Sequence, residues 1–279
     1  MTKHFTAPQE SATGTCGSLV IMKKAASIKS WLPLARRAEA GAGELPTGAA
    51  FRPEWIDFER GIRVGNLEPH ERVTQIFKYH LEQRHRQPFV CDRWGRGVFW
   101  QWICWVPRKN RDAKPVSHDV NWSCAKFFIS VDQDERVFKA GVQVERGPAE
   151  GPEEFPGCVL KPDWDWNRFA AGLRAGSALE SELRRLVCND DFVARIGDWE
   201  RMESFNAKSF RSTAQLRAAL RRVGPRDWVG FQLYYPFPEK EVRSMSGHEL
   251  VQAVAAVFGE TVPVMNTWMQ VPLETTPSS

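Results

Sequence analysis

Four cations follow directly on an apolar, tryptophan-bearing run: Arg108, Lys109, Arg111 and Lys114 come just after Trp102 and Trp105. Cations attract phosphates in a salt-dependent way and exposed aromatic planes stack on bases, so this segment is a candidate nucleic-acid contact. The competing reading is a solvated loop beside core tryptophans, because Trp fills interiors before it reads ligands. His118-Asp119 places an imidazole beside a carboxylate in a polar stretch, a pair suited to general acid–base or hydrolytic work. Against it, adjacent residues often point apart. A nuclease of the scattered carboxylate and lysine type needs acids and a Lys on neighbouring strands to hold a divalent cation. Asp119, Asp132, Asp134, Glu145 and Lys139 supply those types without tight spacing, and a solvated hairpin face explains them as well.

The standard templates are missing. Gly95-Arg96-Gly97 precedes a strand rather than following one, which suits a turn or bulge, and no G-x-x-x-x-G-K-[ST] or G-x-S-x-G occurs. The six histidines form no H-E-x-x-H, and the six cysteines form no C-x-x-C. Neither a metal nor a cofactor is indicated, a nucleotide cofactor included. His80 reads as a packing residue, and the cysteines read as reduced, mostly buried thiols.

The elements that must position these groups show in the periodicity. Val73, Ile76, Phe77, His80 and Leu81 share one face of a helix within 68–84. Val98 to Val106 is apolar on both alternating faces, which predicts a central strand covered on both sides. Lys126–Val131 and Val137–Glu145 flank a polar turn and read as a hairpin. Phe138, Ala140, Val142 and Val144 form its buried face, while Lys139, Gly141, Gln143 and Glu145 meet solvent. Asp163 to Trp166 opens a helix carrying Trp166, Phe169 and Leu173, its acids placed to favour the helix dipole. Ser177 with Glu180, Ser212 with Gln215 and Ser246 with Glu249 are capping boxes. Asn189 opens a further turn with Phe192, Val193 and Ile196; Trp228–Tyr235 is a strand ended by Pro236 and Pro238, and the last helix closes at Gly259. Strands grouped before helices predict an α+β fold: an antiparallel sheet with a Trp-rich central strand, packed by C-terminal helices.

The chain of 279 residues has 42% hydrophobic and 26% charged residues, a globular composition. Its net charge of +4 sits in the first half: residues 1–50 carry six Lys/Arg against three acids, residues 51–150 seventeen against fourteen, and the remainder fifteen against seventeen. That permits phosphate contact without a dense basic stripe. The apolar runs fall short of the ~18 residues a membrane helix requires, so no membrane partner and a cytoplasmic location are expected. Residues 1–50 read as a disordered or basic N-terminal arm and linker, and residues 51–279 as one α+β domain with an internal break at the Pro- and Gly-rich 148–162.

The run Asp92 to Lys109, the Lys126–Gly147 hairpin and the helix around Trp166–Leu173 resemble an uncharacterised bacterial α+β family without assigned function. That family carries an N-D-[FY]-G-x-G turn leading into a Trp- and Tyr-rich strand. Asp92, Gly95, Gly97, Trp100, Trp102 and Trp105 match the pattern, whereas Arg93-Trp94 departs from it; Phe231 to Val257 resembles its closing strand, turn and helix. Relatives fused to or beside restriction-type ATPases imply a recognition module rather than a catalyst.

The leading expectation is a non-catalytic binding or accessory module that contacts nucleic acid through Arg108, Lys109, Arg111 and Lys114, with Trp102 and Trp105 beside them. The alternatives are a metal-dependent hydrolase or nuclease using His118 and Asp119, and a protein-interaction partner in defence or immunity.

Overall fold

The computed structural model describes residues 50–114, 124–147, 164–198 and 200–274. The helical periodicity at 73–81 becomes α1 (Val73–His85), whose Val73, Ile76, Phe77, His80 and Leu81 are buried as one stripe. Two short strands precede it, β1 (Ile56–Asp57) and β2 (Gly61–Arg63). After it, β3 (Phe89–Arg96) turns into β4 (Phe99–Pro107), and a short helix α2 (Arg108–Asp112) follows at once. The next strands are β5 (Lys126–Asp132) and β6 (Val137–Arg146). Helices α3 (Trp164–Gly172) and α4 (Ala178–Arg184) come next, then β7 (Val193–Gly197), β8 (Met202–Phe205) and α5 (Thr213–Leu220). Last are β9 (Val229–Pro238), α6 (Glu239–Ser244) and α7 (Gly247–Trp268).

All the described strands join one antiparallel sheet in the order β1-β2-β4-β5-β6-β9-β7-β8, with β3 added on the other side of β4. The fold is α+β. Because β6 pairs with β9 along its whole length, the sheet runs continuously across the 148–162 break, which itself lies outside the described residues. The middle of the sheet is β5 and β6, not the Trp-rich β4. Only the second half of β4, Ile103–Pro107, is fully covered, whereas Phe99–Trp102 is half-buried. The β3–β4 register slips between Trp94 and Gly95, since Trp94 pairs with Trp102 but Gly95 pairs with Trp100. Gln101 is the extra residue, and Gly95 takes φ +150° where a Cβ would press on the Trp100 backbone. The Gly95 and Gly97 pair thus serves a bulge and a turn.

The helices pack on one face. Phe258 of α7 meets Phe77, Trp105 and Phe127 at ring-centroid distances of 5.5, 5.9 and 4.9 Å. Phe169 of α3 stacks on Phe231 at 4.5 Å and meets Trp268 edge-on at 5.5 Å. Aromatic pairs of this geometry add to area burial.

The opposite face is not solvated as the alternation predicts. Lys139, Gln143 and Glu145 are buried, and so are Lys126 and Tyr234. Polar groups are tolerated there because they satisfy one another: Lys126 Nζ donates to Glu145, Gln143 Nε2 donates to Glu145, and Gln232 Nε2 donates to Gln143 at 2.8 Å. Burial pulls the Lys126 ammonium down, but Glu145 beside it overrides that and holds it above the usual lysine range. Gly141 lacks a side chain where β6 runs close against the backbone of Leu233 and Tyr234, and a Cβ would collide with Leu233 O.

Three further elements differ from the sequence pattern for local reasons. The turn expected at Asn189 is a π turn (Arg185–Asn189) that ends α4 and leads into β7, where Ala194 and Ile196 are buried with strand alternation. β9 continues through Pro236 and Pro238 because beyond Tyr234 it has only β6 as a partner, the setting in which a strand accommodates proline. The final helix passes through Gly259, which makes room for the Arg84 guanidinium, and runs on to Trp268.

Candidate nucleic-acid interface

The four cations that follow β4 separate once folded. Arg108 and Lys109 are exposed at the start of α2, and Arg111 is half-buried. Lys109 Nζ lies 4.0 Å from Glu274 across two exposed side chains, a weak restraint. Lys114 is 2% exposed and ion-paired with Asp165 at 3.1 Å, while its Nζ donates to Asn110 O at 2.9 Å. It is a structural cation, and as a surface contact it is corrected. Trp105 is corrected likewise: it is completely buried beneath α1, and its indole N–H donates to Thr74 O at 3.0 Å. Trp102 is half-buried on the opposite face, its N–H donating to Gln143 Oε1 at 3.2 Å and Lys126 Nζ lying 5.6 Å from its ring centre. His118 and Asp119 lie outside the described residues.

The scattered carboxylates do not converge. Asp132 holds Lys139 at 2.6 Å near the β5–β6 turn, whereas Glu145 is at the far end of β6 with Lys126. Val137, opposite Asp132, is eight residues from Glu145 along that strand, which places the two acids about 26 Å apart at ~3.3 Å per residue. Such a separation cannot bridge one cation. Among the described residues no group of three His, Cys, Asp or Glu is arranged to hold a metal ion.

Arg108 instead faces a cleft that the sequence pattern does not announce. A cavity of about 630 Å³ opens between α1 and the edge strand β3. Thr74, Gln75 and Lys78 form the helical wall, Phe89 to Arg93 form the strand wall, and Arg108 closes one end. Three bonds set this spacing: Trp105 pins α1 through Thr74 O, Glu82 Oε1 accepts from Phe89 N at 3.0 Å, and Arg108 N donates to Pro88 O at 3.0 Å.

Three cations, Lys78, Arg93 and Arg108, stand against one lining carboxylate, Asp92. Arg93 is oriented in advance, its guanidinium 4.5 Å from the centre of the Trp100 ring. Lys78 has a loose helical neighbour in Glu82 at 3.9 Å. Among the described residues no carboxylate neutralises Arg108. The Cys91 thiol in the cleft wall is pushed up to about 12 by burial, so it is neutral and offers no nucleophile.

Two large hydrophobic side chains stand out in solvent among the described residues, Trp94 at 69% and Tyr79 at 44% exposed. Each is one residue beyond a cleft cation, Trp94 after Arg93 and Tyr79 after Lys78. Aromatic and basic residues thus adjoin one another at 78–79 and 93–94, and Arg108 lines the same cleft as Lys78 and Arg93. Arg93-Trp94 was the signal available in the sequence. Arg60 adds a guanidinium 4.2 Å from the centre of the Phe99 ring nearby on β4.

The chain matches no family model, no curated protein and no solved structure. The chemistry of the cleft must speak for itself. No helix among the described residues is long and apolar enough to cross a membrane.

Proposed function

We propose that this protein is a non-catalytic binding module that engages nucleic acid in the cleft between α1 and β3. The observation that carries the reading is the coincidence of three cations around one cavity with exposed aromatic rings next to two of them. The exposed rings of Trp94 and Tyr79 leave aromatic faces available to a ligand beside two of the cleft cations. Cations supply the phosphate attraction and rings supply stacking, the pairing used by nucleic-acid grooves. The inert Cys91 and the dispersed carboxylates favour binding over turnover.

The test is a titration with single- and double-stranded oligonucleotides at low and moderate salt, followed by tryptophan fluorescence. The account predicts quenching that weakens with salt and is lost in the Lys78→Gln/Arg93→Gln/Arg108→Gln variant. Binding unchanged in that variant would contradict it.

A further inference from the structure

We infer that the cleft selects single-stranded over double-stranded nucleic acid, with phosphates in the cleft and a base stacked on Trp94; this rests on the reading above. The sheet edge itself provides the geometry. By strand alternation Arg93 faces α1, while Trp94 faces the other side of β3, directly across from Trp102. A ligand lying along this edge meets guanidinium and ammonium groups on one side and an indole on the other. A single strand has that two-sided character, since its backbone and its unpaired bases project apart. A duplex hides its base faces, and reading it requires an element that protrudes into a groove; here the basic wall is recessed between a helix and a strand.

Asp92, the one acid of the cleft lining, is on the Trp94 side of the strand by alternation. Trp94 is free to act, since its ring is 69% exposed. The charge count limits the strength. Three phosphate contacts on a single strand give a log–log salt slope of about −2.

The experiment is fluorescence anisotropy of a labelled single-stranded oligodeoxythymidylate of about ten nucleotides, competed by a hairpin duplex and by polyglutamate. The full chain is compared with Trp94→Ala, Trp94→Phe and Arg108→Gln. The single strand is expected to bind more tightly than the duplex. Trp94→Ala should weaken it about tenfold without changing the salt slope, and Trp94→Phe should restore most of the loss. Arg108→Gln should make the slope shallower by about 0.7. Equal affinity for the duplex, or full affinity in Trp94→Ala, overturns the single-strand inference while leaving the cleft reading intact. No nucleic-acid binding at low salt, or equal competition by polyglutamate, overturns both. Circular dichroism of the Trp94 variants separates lost stacking from lost fold, since an exposed site tolerates substitution.

Discussion

Asp165 shows how far burial changes what a residue does. Its Oδ2 accepts from Asn110 Nδ2 at 2.7 Å and from Ala125 N at 2.8 Å, with Lys114 Nζ 3.1 Å away; its Oδ1 accepts from Gln270 N at 3.0 Å. Asn110 in turn accepts from Val271 N at 3.0 Å. One fully buried carboxylate thus joins α2, the lead into β5, α3 and the chain after α7. Its sequence neighbourhood predicts an acid favouring a helix dipole, and Lys114 reads as a surface cation. Both readings rest on local spacing, which does not encode that two segments fifty residues apart meet in the interior. Asp165→Ala removes the buried carboxylate that Lys114 pairs with and is expected to cost about 3–5 kcal/mol. Urea unfolding measures it, and adding Lys114→Met should recover part of the loss. A single variant within 1 kcal/mol of the parent would contradict the pinning role.

At the scale of elements, α1 has two duties. Its apolar stripe docks on β4 and α7, and its polar edge, Gln75 with Lys78, forms the cleft wall. The stripe includes His80 and His85, which are 1% and 2% exposed, and neither nitrogen of His80 has a hydrogen-bond partner. Burial, with Arg84 and His85 nearby, pulls His80 from 6.5 down to about 4. Burial does the same to His85, partly opposed by its contact with Glu274 O. A histidine whose folded pKa is depressed stabilises the fold fully above 6.5, and that contribution is lost as pH falls toward 4. The gap corresponds to about 3 kcal/mol per histidine when protonation is complete. Chemical unfolding at neutral and mildly acidic pH should show the wild type losing stability on acidification and His80→Leu losing less. Equal acid sensitivity would mean that His80 is not buried neutral. The sequence made this helix legible, His80's packing role included, because a period of 3.6 is a local property. β3 was not legible: Phe89 to Arg96 is an edge strand of mixed polarity without alternation, and such strands resemble loops until their partner is known. The same limit hid the edge strand β8, β7 was hidden because Phe192, Val193 and Ile196 also fit a helical turn, and the polar alternation of β6 misread a second buried face as solvent.

For the whole molecule, the α+β class and the antiparallel hairpin followed from grouped strand and helix signals. The candidate site followed only in part. Arg108 borders the cleft, but Lys114 and Trp105 belong to the interior, and the cleft's other members come from α1 and β3, which sequence proximity could not join. The cleft exists because an edge strand lies beside a helix. Its occupancy should therefore be visible in the backbone of that edge, whose outward amides have no strand partner among the described residues. The most direct measurement is amide hydrogen exchange of the full chain with and without a saturating single-stranded oligonucleotide at low salt. The account predicts slowed exchange across Phe89–Arg96 and the Thr74–Lys78 turn of α1, with α5 and β8 at the far side of the sheet unchanged. Protection that omits β3, or that falls on α5 and β8 instead, would contradict it.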